Sequence, residues 1–256
     1  MSNTVLDRTI APPIVELNNF EITKANSFLL QNKIKIHTIK YGVQEVIKLE
    51  LVFNAGNYFE DKPGQAFLTS KMLTEGTSTL SSKEIAEKFS YYGANYEIIA
   101  GNDKLIIAVT VLNKFLHYIL PIVKDIVKNT VMQESNFEDV KRIASKQLEV
   151  NYEKTNFIAS GTLKQHIFGM SSAYGYFLSP EILNNVTIED CQFHYHSRIK
   201  DSSFEVIVSG YVTNSIVEQI DAILGREACK LPASVAVRRE FLSLLENIPI
   251  ISRCWY

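Results

Sequence analysis

Hydrophobic and polar residues alternate along two early stretches of the chain. From Phe28 to Ile39, a turn-like Gln31-Asn32-Lys33 is followed by Ile34, Ile36 and Thr38 on one face. From Val43 to Phe53, Ile47, Leu49, Leu51 and Phe53 point one way and Val46, Lys48, Glu50 and Val52 the other. A period of two marks a strand with one buried face. Joined through Tyr41-Gly42, the two runs predict an antiparallel pair. Tyr96 to Ala100 and Leu105 to Leu112 flank Gly101-Asn102-Asp103 and predict a hairpin. Phe204 to Val208 predicts one more short strand.

Helical spacing fills much of the rest. Pro63-Gly64 opens a helix that Gly76 is expected to close. Ser81-Ser82-Lys83-Glu84 is a capping-box start, with Ile85, Phe89 and Tyr92 at helical intervals behind it. Lys114 to Asn129 is strongly amphipathic and contains Pro121. Asn136 to Phe168 predicts one long helical tract, with Gly175 and Pro180 in a loop beyond it. Helices beginning at Thr187 and spanning Ser215 to Leu224 complete the series, the last ended by Gly225. Strands in pairs interspersed with helices predict an α+β fold, its mainly antiparallel sheet covered by helices on one face. Residues 1–24, with Pro12-Pro13, form an expected N-terminal arm, 25–225 the domain, and 226–256 a tail with a helix over Val235 to Leu245.

Composition narrows the partners. The chain has 256 residues, 46% of them hydrophobic and 21% charged, the balance of a globular protein. A net charge of -2, with basic residues scattered, offers no electrostatic footprint for nucleic acid or an anionic membrane. Apolar runs such as Val46 to Phe53 are broken by Lys48 and Glu50, so no membrane span is expected. The first residues show no basic start and apolar core, so no signal peptide is expected. Cys191, Cys229 and Cys254 are odd in number and widely spaced, which suits a reducing, cytoplasmic setting.

Three constellations carry candidate chemistry. Cys191, His194 and His196 are metal-binding types, yet two residues of separation on a helix turns the histidines apart, and no second half of a site follows. The expectation there is a partly buried helix end with Phe193 and Tyr195 packing. Ser70 and Lys71 could suggest a serine–lysine pair, but adjacent helical side chains diverge, leaving Lys146 as the other lysine to consider. Phe89, Tyr91, Tyr92 and Tyr96 are expected to pack in core and sheet.

The helix from Gly64 to Thr77 is the most specific segment. Gly64-Gln65-Ala66-Phe67-Leu68-Thr69-Ser70-Lys71-Met72-Leu73 and Gly76-Thr77 resemble the metal-binding helix of the insulinase/pitrilysin metallopeptidases, Gly-Leu-Ala-His-Phe-Leu-Glu-His-Met-Leu-Phe-Lys-Gly-Thr. Phe28 to Ile36, Leu49 to Gly56, Gly93-Ala94, Ser172-Ala173-Tyr174-Gly175 and Phe204 to Val212 resemble further landmarks of that family, in the family's order. The family binds zinc through His-x-x-Glu-His and a glutamate on a later helix. The resemblance puts Phe67 and Lys71 at the histidine positions and Ser70 at the base. The context Glu138 to Leu148 puts Gln147 at the distant glutamate.

None of these four is a zinc ligand or carboxylate base. The resemblance therefore implies a non-catalytic homologue that holds no metal or cofactor. Such a chain would pair with a catalytic zinc-peptidase sibling to enclose an extended peptide. The Lys71 ammonium is expected near the former metal position, bonded to the Gln147 carbonyl oxygen. Alternatives are a stand-alone peptide-binding or scaffolding module, a non-functional truncated fragment, and a hydrolase with an unorthodox site.

Overall fold

The computed structural model describes residues 22–226. The arm expected over 1–24 lies largely outside the described residues, as does the tail with its helix. The alternating stretches form β1 (Asn26–Leu29), β2 (Lys35–Lys40) and β3 (Val46–Phe53), and the later ones β4 (Asn95–Ala100), β5 (Leu105–Leu112) and β6 (Phe204–Gly210). All six join one sheet in the order β1-β2-β6-β3-β5-β4, antiparallel except for β2 against β6.

Register aligns the apolar positions across the sheet. Leu51 lies opposite Ile107 on one side and Val206 on the other, and Val206 opposite Ile36. Leu49, between Val109 and Val208, repeats the arrangement. All of these side chains are buried. Lys48, Thr110 and Glu205 occupy the opposite, open face and are exposed. Burial of one face fixes register, because a slip of one residue would turn every apolar side chain to solvent.

Helices cover the buried face. They are α1 (Gln65–Met72), α2 (Ser82–Tyr91), α3 (Leu116–Asn129), α4 (Glu134–Tyr152), α5 (Thr155–Phe168), α6 (Pro180–Asn184), α7 (Ile188–Tyr195) and α8 (Asn214–Leu224). The capping box before α2 is complete: the Glu84 amide donates to Ser81 Oγ at 3.3 Å and the Ser81 amide to Glu84 Oε2 at 2.8 Å. Leu116, Ile119, Leu120 and Val123 of α3 reach the core together with Ile216 and Ile220 of α8.

Four local expectations need correction. β2 and β3 are not paired, because β6 lies between them. The link between them crosses the end of β6: the Tyr41 amide donates to the Gly210 carbonyl at 2.9 Å and the Tyr211 amide to Val46 O at 3.0 Å. A local hairpin reading could not include a strand that arrives so late in the chain. The long tract after Asn136 is two helices, α4 and α5, because Lys154 is extended. The turn lets Tyr152 and Phe157 both pack on Phe177, at 5.0 and 4.8 Å between ring centroids. The loop at Pro180 contains α6, started by Ser179, whose Oγ accepts the Ile182 amide at 3.3 Å. α1 ends at Met72, and Gly76 instead forms a β-bridge with Ser81.

Gly210 is the tightest point of this topology. Its φ is +114°, and a Cβ there would lie 2.3 Å from the Val46 carbonyl oxygen. Gly210→Ala is expected to lower the unfolding free energy by about 1–3 kcal/mol or more, through backbone strain and displacement of β3 from β6. Urea denaturation followed by circular dichroism checks this; an unchanged midpoint would contradict the crossing described here.

Candidate functional site: a cleft between α1, α4 and the β4 edge

α1 is held by polar contacts at its start. The Glu60 carboxylate accepts the amides of Gly64 at 3.3 Å and Ala66 at 3.0 Å, satisfying donors that a helix start leaves free. Burial raises the Glu60 pKa, while the Ala66 amide, the Tyr176 hydroxyl and the Gly64 amide act against it. Burial and the neighbouring Glu60 push the Tyr176 phenol upward, so the hydroxyl keeps its proton. Gln65, buried, accepts the Asp61 amide at 2.9 Å and donates to the Asp190 carbonyl at 2.6 Å. Thr69 Oγ1 donates to the Cys191 carbonyl at 3.5 Å. One side of α1 is thereby tied to α7, and Leu68 and Met72 enter the core.

The remaining side of α1 shows Phe67, Ser70 and Lys71 to a cleft of about 1070 Å³, with Thr74 in the turn just beyond the helix. Spacings of three and four residues put these positions on one helical face. α4 supplies the facing wall with Ala144, Gln147, Leu148 and Asn151. β4, an outer strand of the sheet, forms a third side, and Phe157, Gly161 and Lys164 of α5 a fourth. The structure thus brings Phe67, Ser70, Lys71 and Gln147 to one cavity, although α1 and α4 are far apart in sequence.

The chemistry of these groups is specific. Ser70 is buried, and its hydroxyl donates to the Phe67 carbonyl at 2.7 Å, spent on its own helix. Lys71 is exposed to the cleft, its ammonium 5.7 Å from the centre of the Phe67 ring. Gln147 Nε2 donates to Asn151 Oδ1 at 3.4 Å, and Lys154 Nζ donates to the same oxygen at 2.8 Å. The expected bond from Lys71 to Gln147 is not formed. The lysine stem leans toward the helix start, as long side chains on helices do, and meets Phe67 instead. Ser70 likewise makes no hydrogen bond with Lys71 or Lys146, so the serine–lysine pair is not assembled.

A phenyl ring, a hydroxyl, an ammonium and an amide do not fit a zinc ion, which takes imidazole, thiolate or carboxylate ligands. Among the described residues, no group of three or more His, Cys, Asp or Glu side chains could hold a metal. The Cys191 and His194 side chains are buried and apart in role. His194 Nε2 lies 3.0 Å from the Ala55 carbonyl, to which it donates, and burial pushes the Cys191 thiol up to about 12. His196 is exposed. Tyr195 packs in the core with its hydroxyl accepting the Thr130 amide at 3.1 Å, but Phe193 is 58% exposed, on the outward side of α7. Of the four aromatic residues after Ile85, Phe89 and Tyr96 meet edge-on at 4.6 Å, and Tyr91 points to solvent. No helix among the described residues is long and apolar enough to cross a membrane.

Comparison with known proteins places this geometry. The sequence profile of the insulinase family, peptidase family M16, matches residues 36–175, more than half of the chain. The protein belongs to that family. An uncharacterized zinc protease of Rickettsia felis is 27% identical over 118 residues, 45% of this chain and 27% of that protein. The uncharacterized zinc protease YmxG of Bacillus subtilis is 20% identical over 179 residues, 70% of this chain and 44% of that one. The chain therefore spans less than half the length of these curated relatives. Among solved structures, a peptidase M16 inactive domain from Pseudomonas fluorescens superposes with a TM-score of 0.68 at 18% identity, over 80% of this chain and 52% of that one. The periplasmic protease PqqL from Escherichia coli gives 0.70 at 14% identity, over 84% and 26%. At such identities these two likenesses concern the fold.

Sequence reasoning missed the clamp at the start of α1. Nothing in the spacing of Glu60, Gln65 and Tyr176 announces that they gather at one helix start.

His194 gives this site's testable consequence. Burial lowers its pKa from the ordinary 6.5, so the folded protein favours the neutral ring. The stability tied to that preference is present above the unfolded value near 6.5 and is lost as pH falls from there toward the folded value. Melting temperature is expected to drop across that window in the native protein and to drop less in His194→Gln, whose amide can still donate to Ala55. Equal slopes in both would remove His194 as the cause.

Proposed function

We propose that this protein is a non-catalytic member of its peptidase family. It binds extended peptide in the cleft and contributes to proteolysis beside a catalytic sibling that carries an intact His-x-x-Glu-His. In this reading Phe67, Ser70 and Lys71 occupy the places of the two histidines and the general base, and Gln147 that of the third ligand. The observation that carries it is the face of α1 opposite α4. Where a metal–water mechanism needs lone pairs and a carboxylate, these four positions present a ring, a bonded hydroxyl, an ammonium and an amide.

Peptide binding is supported by the β4 edge. Among the described residues β4 pairs only with β5, which leaves its other side to accept an added strand beside the cleft. Tyr96 and Ile98 alternate with Glu97 and Ile99 along it, giving an incoming peptide two kinds of neighbour. Because cleft and edge both lie within this chain, binding without a partner is the second reading, in which the protein acts as a peptide-binding module by itself.

Purified full-length chain is expected to show no chelator-sensitive cleavage of a quenched fluorescent peptide library. Mixed with a zinc-motif sibling, it is expected to raise turnover well above that of the sibling alone. Peptide affinity with no effect on the sibling would favour the second reading. Zinc-dependent cleavage by the chain alone would overturn both.

A further inference from the structure

The cleft holds two ammonium groups that no carboxylate among the described residues bridges. Lys71 projects from α1 and Lys164 from α5, and both line the cavity. Neither forms an ion pair or a hydrogen bond with any described residue; Lys71 has only the Phe67 ring beneath it, at 5.7 Å. Glu75 and Glu97 also line the cavity, but neither is bridged to a lysine there. Burial raises the Glu75 pKa, with Ser82 acting against that and Asp139 adding to it. Asn151 lines the same cavity; two donors occupy its Oδ1, so its amide nitrogen is the group left to donate.

We propose that the cleft selects peptides bearing a carboxylate, seated against the Lys71 ammonium and within reach of the Asn151 amide. This deepens the peptide-binding reading above and rests on it. An aromatic face attracts a cation through its ring quadrupole and so holds the ammonium in place beside the cleft. A lysine held this way needs no rearrangement to meet an anion, and an incoming strand along β4 would exclude water from the pair and strengthen it. The carboxylate could come from an aspartate or glutamate side chain or from the peptide's own C-terminus. Both present the same two oxygens.

Fluorescence anisotropy with the full chain separates the cases. Three labelled peptides of one apolar, extended sequence serve as probes. One carries a central glutamate and an amidated end, one has a free C-terminal carboxylate and no acidic side chain, and one has neither. At least one carboxylate peptide is expected to bind about three- to tenfold more tightly than the neutral one at low salt, a preference that shrinks as salt is raised. Which one does so identifies the source of the carboxylate. Lys71→Met, which keeps a stem over Phe67, is expected to bring that peptide down to the affinity of the neutral probe. Lys83→Met on the far surface of α2 is expected to change nothing.

Equal affinity for all three peptides, or a Lys71→Met effect identical on all three, would overturn the inference and leave peptide binding standing. No binding of any probe would overturn the peptide-binding reading and this inference with it. Circular dichroism and melting of Lys71→Met guard against misfolding; should it unfold, Lys71→Gln and the salt dependence of the native chain decide the matter.

Discussion

Main-chain hydrogen bonds from β6 to both β2 and β3 join the two halves of the sheet, and the rest of the molecule is arranged around that junction. Without β6, the β1–β2 hairpin would have no neighbour on its inner side, and β3 would lose one of its two ladders. The strand that closes the sheet is contributed by residues late in the described chain. It brings with it the preceding α7 and the following α8. α7 in turn fixes α1 through Gln65 and Thr69. A contact between distant segments therefore sets the position of the helix that forms the cleft.

The α1 clamp separates the groups that hold the helix from the groups that line the cleft. Glu60, Gln65 and Tyr176 lie behind and at the start of the helix, where their hydrogen bonds orient it. Phe67, Ser70 and Lys71 lie on the face the clamp leaves open. Their side chains can change without disturbing the clamp, the core contacts of Leu68 and Met72, or the path of the chain. The Ser70 hydroxyl folds back onto the Phe67 carbonyl, which makes a buried polar group satisfied at no cost to its neighbours. Phe67 and Lys71 support each other. Membership of a zinc-peptidase family and a cleft without zinc ligands are thus compatible in one fold.

Much of the architecture was legible along the chain because it rests on short-range periodicity. The alternation in Val46 to Phe53 and Leu105 to Leu112 marks their buried faces whichever strand lies beside them. Ser81 and Glu84 meet three residues apart, within the reach of a local rule. The break between α4 and α5 was invisible for the opposite reason. Glu153 and Lys154 are as acceptable in a helix as their neighbours, and the turn there is set by Phe177, which arrives from another segment. The last strand predicted from sequence ends at Val208, two residues short of Gly210, whose positive φ matters because the link from β2 to β3 passes over it.

By itself, the order of residues determined which faces are apolar, where helices start, and that Phe67, Ser70, Lys71 and Gln147 are poor company for a metal ion. These follow from side-chain chemistry and from periods of two and about 3.6 residues, which need no knowledge of distant partners. Tertiary structure alone decided that β6 separates β2 from β3, that α1 and α4 face each other across one cavity, and that Lys71 lies over Phe67 instead of reaching Gln147. Each of these depends on which distant segments meet, and that is settled by burying the apolar faces together and pairing the main chain, a condition on the whole molecule that no short stretch can state.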